Sequence, residues 1–167
     1  MGTASLATNN MTLKGWGAEP QIWQPQQLGF PDEIVQVHLF TKSGDCMLFK
    51  RSKESGSFWG PVSGAVELNE RYVEAAAREL EEETNIVVSP DQIMLADHSV
   101  TNFSPRDRHI KLITAFAFLP RSFNQKRIKL NRELSNYLTL CFGDAFRLLE
   151  RHGLPEALEG LVSICGE

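Results

Sequence analysis

From residue 33 onward, apolar and polar positions follow regular periods; before it they do not. Ile34–Phe40 (IVQVHLF) alternates well enough to predict a half-buried strand. Lys42-Ser43-Gly44-Asp45 is a turn, and Cys46–Arg51 (CMLFKR) is the returning strand of a hairpin. Phe58–Glu67 (FWGPVSGAVE), with two Gly and a Pro, is too irregular for a helix. The clearest helix spans Arg71 to Glu83, where Val73, Ala76, Ala77 and Leu80 form an apolar stripe. Ile86–Val88 is a short β-branched run. Ile93–Phe103 and Ile110–Leu119 are two further strands around the loop Ser104–Arg108. Asn131–Leu140 is mixed in pattern. Phe142–His152 and Pro155–Val162 are two helices broken at Gly153. Strands, a central helix, more strands and terminal helices predict an α/β sandwich with a mixed sheet.

Residues 1–31 are rich in Gly, Gln, Asn, Thr and Pro without periodicity. They are expected to form a flexible N-terminal arm ahead of a single domain at 32–167. Met11 is a candidate natural start, which would leave residues 1–10 as a cloning remnant. Trp16 and Trp23 suggest that part of the arm packs on something, such as a second subunit.

Charge narrows the chemistry. The net charge of -4 argues against an enzyme that grips long nucleic acid through its phosphates. It leaves room for a small anionic substrate, because a bound divalent cation reverses the sign of an acidic patch. No apolar run approaches the ~18 residues of a membrane span, and the start lacks the pattern of a signal peptide. Cys46, Cys141 and Cys165 are odd in number and scattered, so they are read as inert thiols of a cytoplasmic protein. His38, His98, His109 and His152 show no paired zinc spacing.

The chemical signal is the last turn of the central helix, Arg78-Glu79-Leu80-Glu81-Glu82-Glu83. At ~100° per residue, Glu79, Glu82 and Glu83 share roughly a 100° arc. Like charges at i, i+3 and i+4 repel, and the negative end of the helix dipole opposes them. An arrangement that works against local stability points to a compensating cation, and hard divalent ions take carboxylate oxygens. A Glu-rich run alone is more often a solvated face, so the wider spacing decides.

Gly64, five residues, Glu70, seven residues, then Arg78-Glu79-Leu80-Glu81-Glu82-Glu83-Thr84-Asn85-Ile86 closely resembles the Nudix box, G-x5-E-x7-R-E-U-x-E-E-x-G-U. Only the final Gly differs, being Asn85. Asn85 follows the helix where a left-handed cap is common, and Asn is next best after Gly there. Asn69 likewise tolerates a left-handed conformation. The resemblance implies a Nudix-type α/β/α sandwich. It also implies a Mg²⁺- or Mn²⁺-dependent hydrolase that cleaves the diphosphate of a nucleoside diphosphate linked to a further group, or an NTP to NMP and pyrophosphate.

Carried over residue by residue, the resemblance makes Glu82 and Glu83 metal ligands and Glu79 a further ligand or the general base. Arg78 would orient the carboxylates, Glu70 would be largely structural, and the Ser63 carbonyl would face the metal. Glu133, on a later segment, is a candidate outer ligand or base, with Asp97 and Asp107 weaker candidates. Outside the box, Arg51, Arg106 and Arg108 are candidates for phosphate contacts, and Phe58 for stacking on a base. Trp59 and Phe103 are read mainly as core. Phe58–Gly64 also resembles the matching stretch of bacterial dATP or dihydroneopterin-triphosphate pyrophosphohydrolases. A small nucleotide-like substrate is therefore expected, and the family's frequent dimerisation leaves a homodimer open. Two rivals share the fold. A non-catalytic nucleotide sensor usually loses box carboxylates or adds a DNA-binding domain, and this chain keeps its carboxylates. An isopentenyl-diphosphate isomerase needs a Cys in the pocket, and Cys46 has no matching motif around it.

Overall fold

The computed structural model describes residues 32–103 and 109–165, with backbone alone at 98–103 and 109. Seven strands form one mixed sheet. They are β1 (Glu33–Phe40), β2 (Cys46–Arg51), β3 (Trp59–Gly60), β4 (Val62–Ala65), β5 (Met94–Phe103), β6 (His109–Phe118) and β7 (Leu134–Leu140). The helices are α1 (Tyr72–Thr84), α2 (Phe142–His152) and α3 (Pro155–Cys165). The order is β3-β2-β1-β6-β5, with β4 on β1 and β7 on β2.

β1 organises the sheet. It runs parallel to β6 along its whole length, from Glu33 opposite Lys111 to Phe40 opposite Phe118. On its other edge it meets β2 only at Leu39–Met47 and Phe40–Cys46. β2 then leaves, and β4 takes its place, with Val35 opposite Gly64 and Gln36 opposite Ser63. The freed part of β2 pairs with β3 on one edge and β7 on the other. The end of β2, the turn of β4 and the start of β7 therefore converge.

Strand alternation divides the core in two. Val35, Val37 and Leu39 of β1, with Met47 and Phe49 of β2, pack against Ala75, Ala76 and Leu80 of α1. On the other face Phe40, Cys46, Leu48 and Phe116 pack against Ala145 and Leu149 of α2 and Leu161 of α3. The result is the expected α/β/α sandwich.

Some local expectations are corrected, and others are met or completed. β1 is not half-buried: every residue but Ile34 is enclosed, because helices cover both faces. The stretch 58–67 contains β3 and β4. The buried side of α1 centres on Tyr72, Ala75, Ala76 and Leu80, while Val73 and Ala77 lie at its margin. Ile86 and Val88 fill the core without forming a strand. Asn131–Leu140 resolves into β7, and α3 runs to Cys165. Asn69 and Asn85 both adopt the left-handed conformation, at φ 64° and 60°. The backbone N–H of Asn85 closes the helix on the Glu81 carbonyl at 2.9 Å. Among the described residues no helix is long and apolar enough to cross a membrane.

Candidate active site

The carboxylates of α1 divide between two arginines. Arg78 lies along the helix and binds back to the loop before it. Its Nε and Nη2 donate to the two oxygens of Glu70 at 2.8 and 2.9 Å, and Nη2 also reaches the Ala65 carbonyl at 2.8 Å. Its Nη1 donates to Glu79 at 2.6 Å and lies 3.5 Å from Glu82. Paired parallel bonds of this kind suit the planar guanidinium fork. Glu70 thus ties the loop to the helix and holds Arg78 where it can aim Glu79.

Gly64 makes the close approach of Glu79 feasible. A Cβ at that position would lie 1.9 Å from the Glu79 carboxyl carbon and 2.1 and 2.2 Å from its oxygens. The carboxylate therefore packs directly over the β4 backbone. Glu79 is buried, and that burial, opposed by Arg78, raises its pKa.

The second arginine is Arg51, at the end of β2 and 7% exposed. Its Nη1 donates to Glu83 at 2.7 Å and lies 3.4 Å from Glu133. Its Nη2 donates to the Ser63 carbonyl at 3.0 Å and to Ser63 Oγ at 2.8 Å. Glu83 is 3% exposed, and burial pushes its pKa up to about 7 against the pull of Arg51. Its other oxygen, Oε2, is buried with no hydrogen-bond partner among the described residues. Glu133 reaches this place because the chain before β7 docks on the end of α1. Lys129 N–H donates to the Thr84 carbonyl and Asn131 N–H to the Glu83 carbonyl, both at 2.9 Å. Ser52 N–H then donates to the Glu133 carbonyl at 2.7 Å.

The predicted positions thus fall as follows. Ser63, Glu83 and Glu133 meet around Arg51, while Glu79 and Glu82 attach to Arg78. Glu82 is mostly exposed. Phe58 lines a cavity that also contains Ser63. Asp97 is exposed on β5. Arg106, Arg108 and Asp107 lie outside the described residues, as do Trp16 and Trp23, and the side chains of His98, Phe103 and His109 are likewise not described. His38 is fully buried and kept neutral, its pKa lowered to about 3 by burial.

Among the described residues no three acidic, His or Cys side chains converge on one point as ligands. The oxygens gathered around Arg51 are instead a carbonyl, a hydroxyl and two carboxylates. All are hard oxygen donors, they already surround a cation, and one buried oxygen of Glu83 is unpartnered. Two arginines face six carboxylates across the pair of networks, Glu67 being the sixth at 3.9 Å from Arg78. The residues fit a hard divalent cation.

The NUDIX domain model matches residues 31–152. Solved structures with the same fold include the E. coli dihydroneopterin triphosphate pyrophosphohydrolase. That one is 20% identical with a TM-score of 0.64, over 80% of this chain and 94% of the other. The NUDIX domain of Shewanella oneidensis NrtR, solved with ADP ribose, is 17% identical with a TM-score of 0.62, over 84% and 90% of the two chains. A C. elegans Ap4A hydrolase is 23% identical with a TM-score of 0.54, over 77% and 92%. No curated protein matches the sequence significantly. The chain belongs to the Nudix family.

Proposed function

We propose that this chain hydrolyses the diphosphate of a small nucleotide, NDP-X to NMP and P-X or NTP to NMP and pyrophosphate, with a Mg²⁺ or Mn²⁺ ion at the box carboxylates. The domain spans 32–167 in this reading, behind an arm at 1–31, and works in the cytoplasm. The observation that carries it is the buried Glu83. Its Oε2 is unpartnered, and it shares with the Ser63 carbonyl and Glu133 a site that a guanidinium fills. A buried unpartnered carboxylate oxygen is costly unless a ligand completes its shell.

When bound, the divalent ion neutralises the substrate's phosphates and lowers the pKa of the attacking water. Glu83, Glu82, Glu133 and the Ser63 carbonyl are the groups that would hold it. Glu79, made more basic by burial, takes the water's proton, and Arg78 fixes the direction in which it does so. Arg51, whose guanidinium lies among the oxygens of Glu83, Glu133 and Ser63, supplies positive charge that can oppose the charge of a phosphate. Most of the acceleration then comes from positioning and charge stabilisation.

The test is a panel of nucleoside triphosphates, dinucleoside polyphosphates, nucleotide sugars and ADP-ribose, assayed with Mg²⁺, Mn²⁺ and chelator, with products identified by chromatography. The expected result is NMP release that stops with chelator. It should fall on the order of 10²–10³-fold in Glu83→Gln, as for loss of a group that stabilises transition-state charge. Near wild-type turnover in both Glu82→Gln and Glu83→Gln would overturn the assignment. So would release of no product from any substrate with either metal.

A further inference from the structure

A cavity of about 270 Å³ opens on the α3 side of the sheet, with Gln36, Phe58, Ser63, Leu112, Leu154 and Ala157 among its lining. This is near the lower end of ligand-pocket volumes, about 300 Å³ upward, and large enough for one planar base. At Ser63 it meets the proposed diphosphate site. Its walls are mostly apolar, which makes its buried amide informative.

Gln36 is 2% exposed, on a strand whose other side chains are nearly all enclosed. A polar group there is costly unless it is hydrogen-bonded. Its Nε2 donates to Thr114 Oγ1 at 2.9 Å and to the Glu156 carbonyl at 3.1 Å. A backbone carbonyl can only accept, so the amide has one orientation. Gly160 of α3 provides the space, since a Cβ there would lie 2.4 Å from Nε2. Both amide hydrogens are therefore engaged. Gln36 Oε1 accepts no hydrogen bond among the described residues, and it is not sealed off as the oxygen of Glu83 is. A clamped side chain thus presents one free acceptor to an apolar cavity beside the phosphate site.

We propose that this cavity receives the base of the nucleotide and that Gln36 Oε1 selects a base edge carrying an exocyclic amino group. The proposal rests on the diphosphatase reading above. An amino group projects beyond the ring and can reach a recessed acceptor. The ring N–H of a keto base is flanked by a carbonyl oxygen, whose partial charge would oppose Oε1. A site built around a buried hydrogen-bonding group discriminates against an analogue that leaves it unpaired.

The test uses the metal-free full-length protein and three pairs of nucleoside monophosphates that differ only in the amino group. These are adenosine against purine riboside, guanosine against inosine, and cytidine against its deamino analogue. Calorimetric or NMR titration should show the amino member of at least one pair binding about tenfold tighter, a difference of about 1.4 kcal/mol. Gln36→Met should reduce that preference to less than about twofold. Because this variant also loses both anchors, its fold is checked by circular dichroism. A second readout avoids the variant altogether: in ¹⁵N-labelled wild type, the Gln36 side-chain amide resonance should move with the amino member and stay still with its partner. The proposal fails if no pair discriminates, if the preference survives in folded Gln36→Met, or if that resonance does not respond. Selective binding without any hydrolysis would sink the diphosphatase reading alone. Metal-dependent hydrolysis without base selectivity would sink the pocket assignment alone.

Discussion

Arg78 and Arg51 both grip carboxylates of the same helix, yet they occupy different regions and do different things. Arg78 binds Glu70, Glu79 and the Ala65 carbonyl at 2.9 Å or less, so its donors are nearly saturated by the box itself. Arg51 comes from a strand outside the box. It reaches oxygens on three separate elements, and a buried carboxylate oxygen beside it stays unpartnered. One arginine completes a structure. The other stands where, in the function proposed above, a divalent cation would bind. Both guanidinium groups are well bonded, so the difference between the two regions lies in one acceptor, the Glu83 Oε2 left without a partner beside Arg51.

The contrast can be broken at Arg78 first, where the largest effect on folding is expected. Arg78→Ala leaves Glu70 and Glu79 partly buried without their partner. The cost should be about 3 kcal/mol, at the low end for breaking a buried ion pair because Arg78 retains some exposure. Urea denaturation measures it, and Arg78→Lys should recover little because an ammonium cannot supply the fork. Arg51→Gln should behave differently. Its metal-free stability should fall by about 1–3 kcal/mol, as for an unsatisfied buried group, but Mn²⁺ should restore it. The variant's thermal midpoint should therefore rise more with added Mn²⁺ than that of wild type. Equal responses would show that Arg51 is as structural as Arg78.

A smaller effect follows from Glu83. Its folded pKa of about 7 lies above the ordinary carboxylate value. Between about pH 4.5 and 7 the folded state holds a proton that the unfolded chain releases. The stability of the metal-free protein should therefore fall as pH rises through this window, and Glu83→Gln should flatten the slope. Metal binding should show the opposite trend, tightening up to about pH 7 as the carboxylate loses its proton.

Much of the Arg78 region was legible in the sequence, and much of the Arg51 region was not. Glu79, Glu82 and Glu83 lie on one helix, where spacing predicts neighbours, and the roles of Glu70 and Arg78 came with the resemblance to the Nudix box. Asn85 and Asn69 were readable for the same local reason. The meeting of Arg51 with Glu83 spans 32 residues and depends on β2 leaving β1 after two pairs. Alternation along β2 shows nothing of that departure. Gln36 was hidden differently. A polar residue within IVQVHLF is what a strand with one solvent face would show, and only the helix packed on each side reveals it as buried. The misplaced stripe on α1 has a related cause. Glu79 and Glu83 belong to its buried side, so counting apolar residues alone shifts the face towards Val73 and Ala77.

The most direct test is a Mn²⁺ titration of the metal-free protein at pH 7.5, followed by electron paramagnetic resonance, in wild type and Glu83→Gln. Saturable binding in wild type that weakens at least about tenfold in the variant, in line with the cost of disturbing a metal site, is the predicted result. Indistinguishable titration curves for two equally well-folded proteins would contradict a cation site at the end of α1.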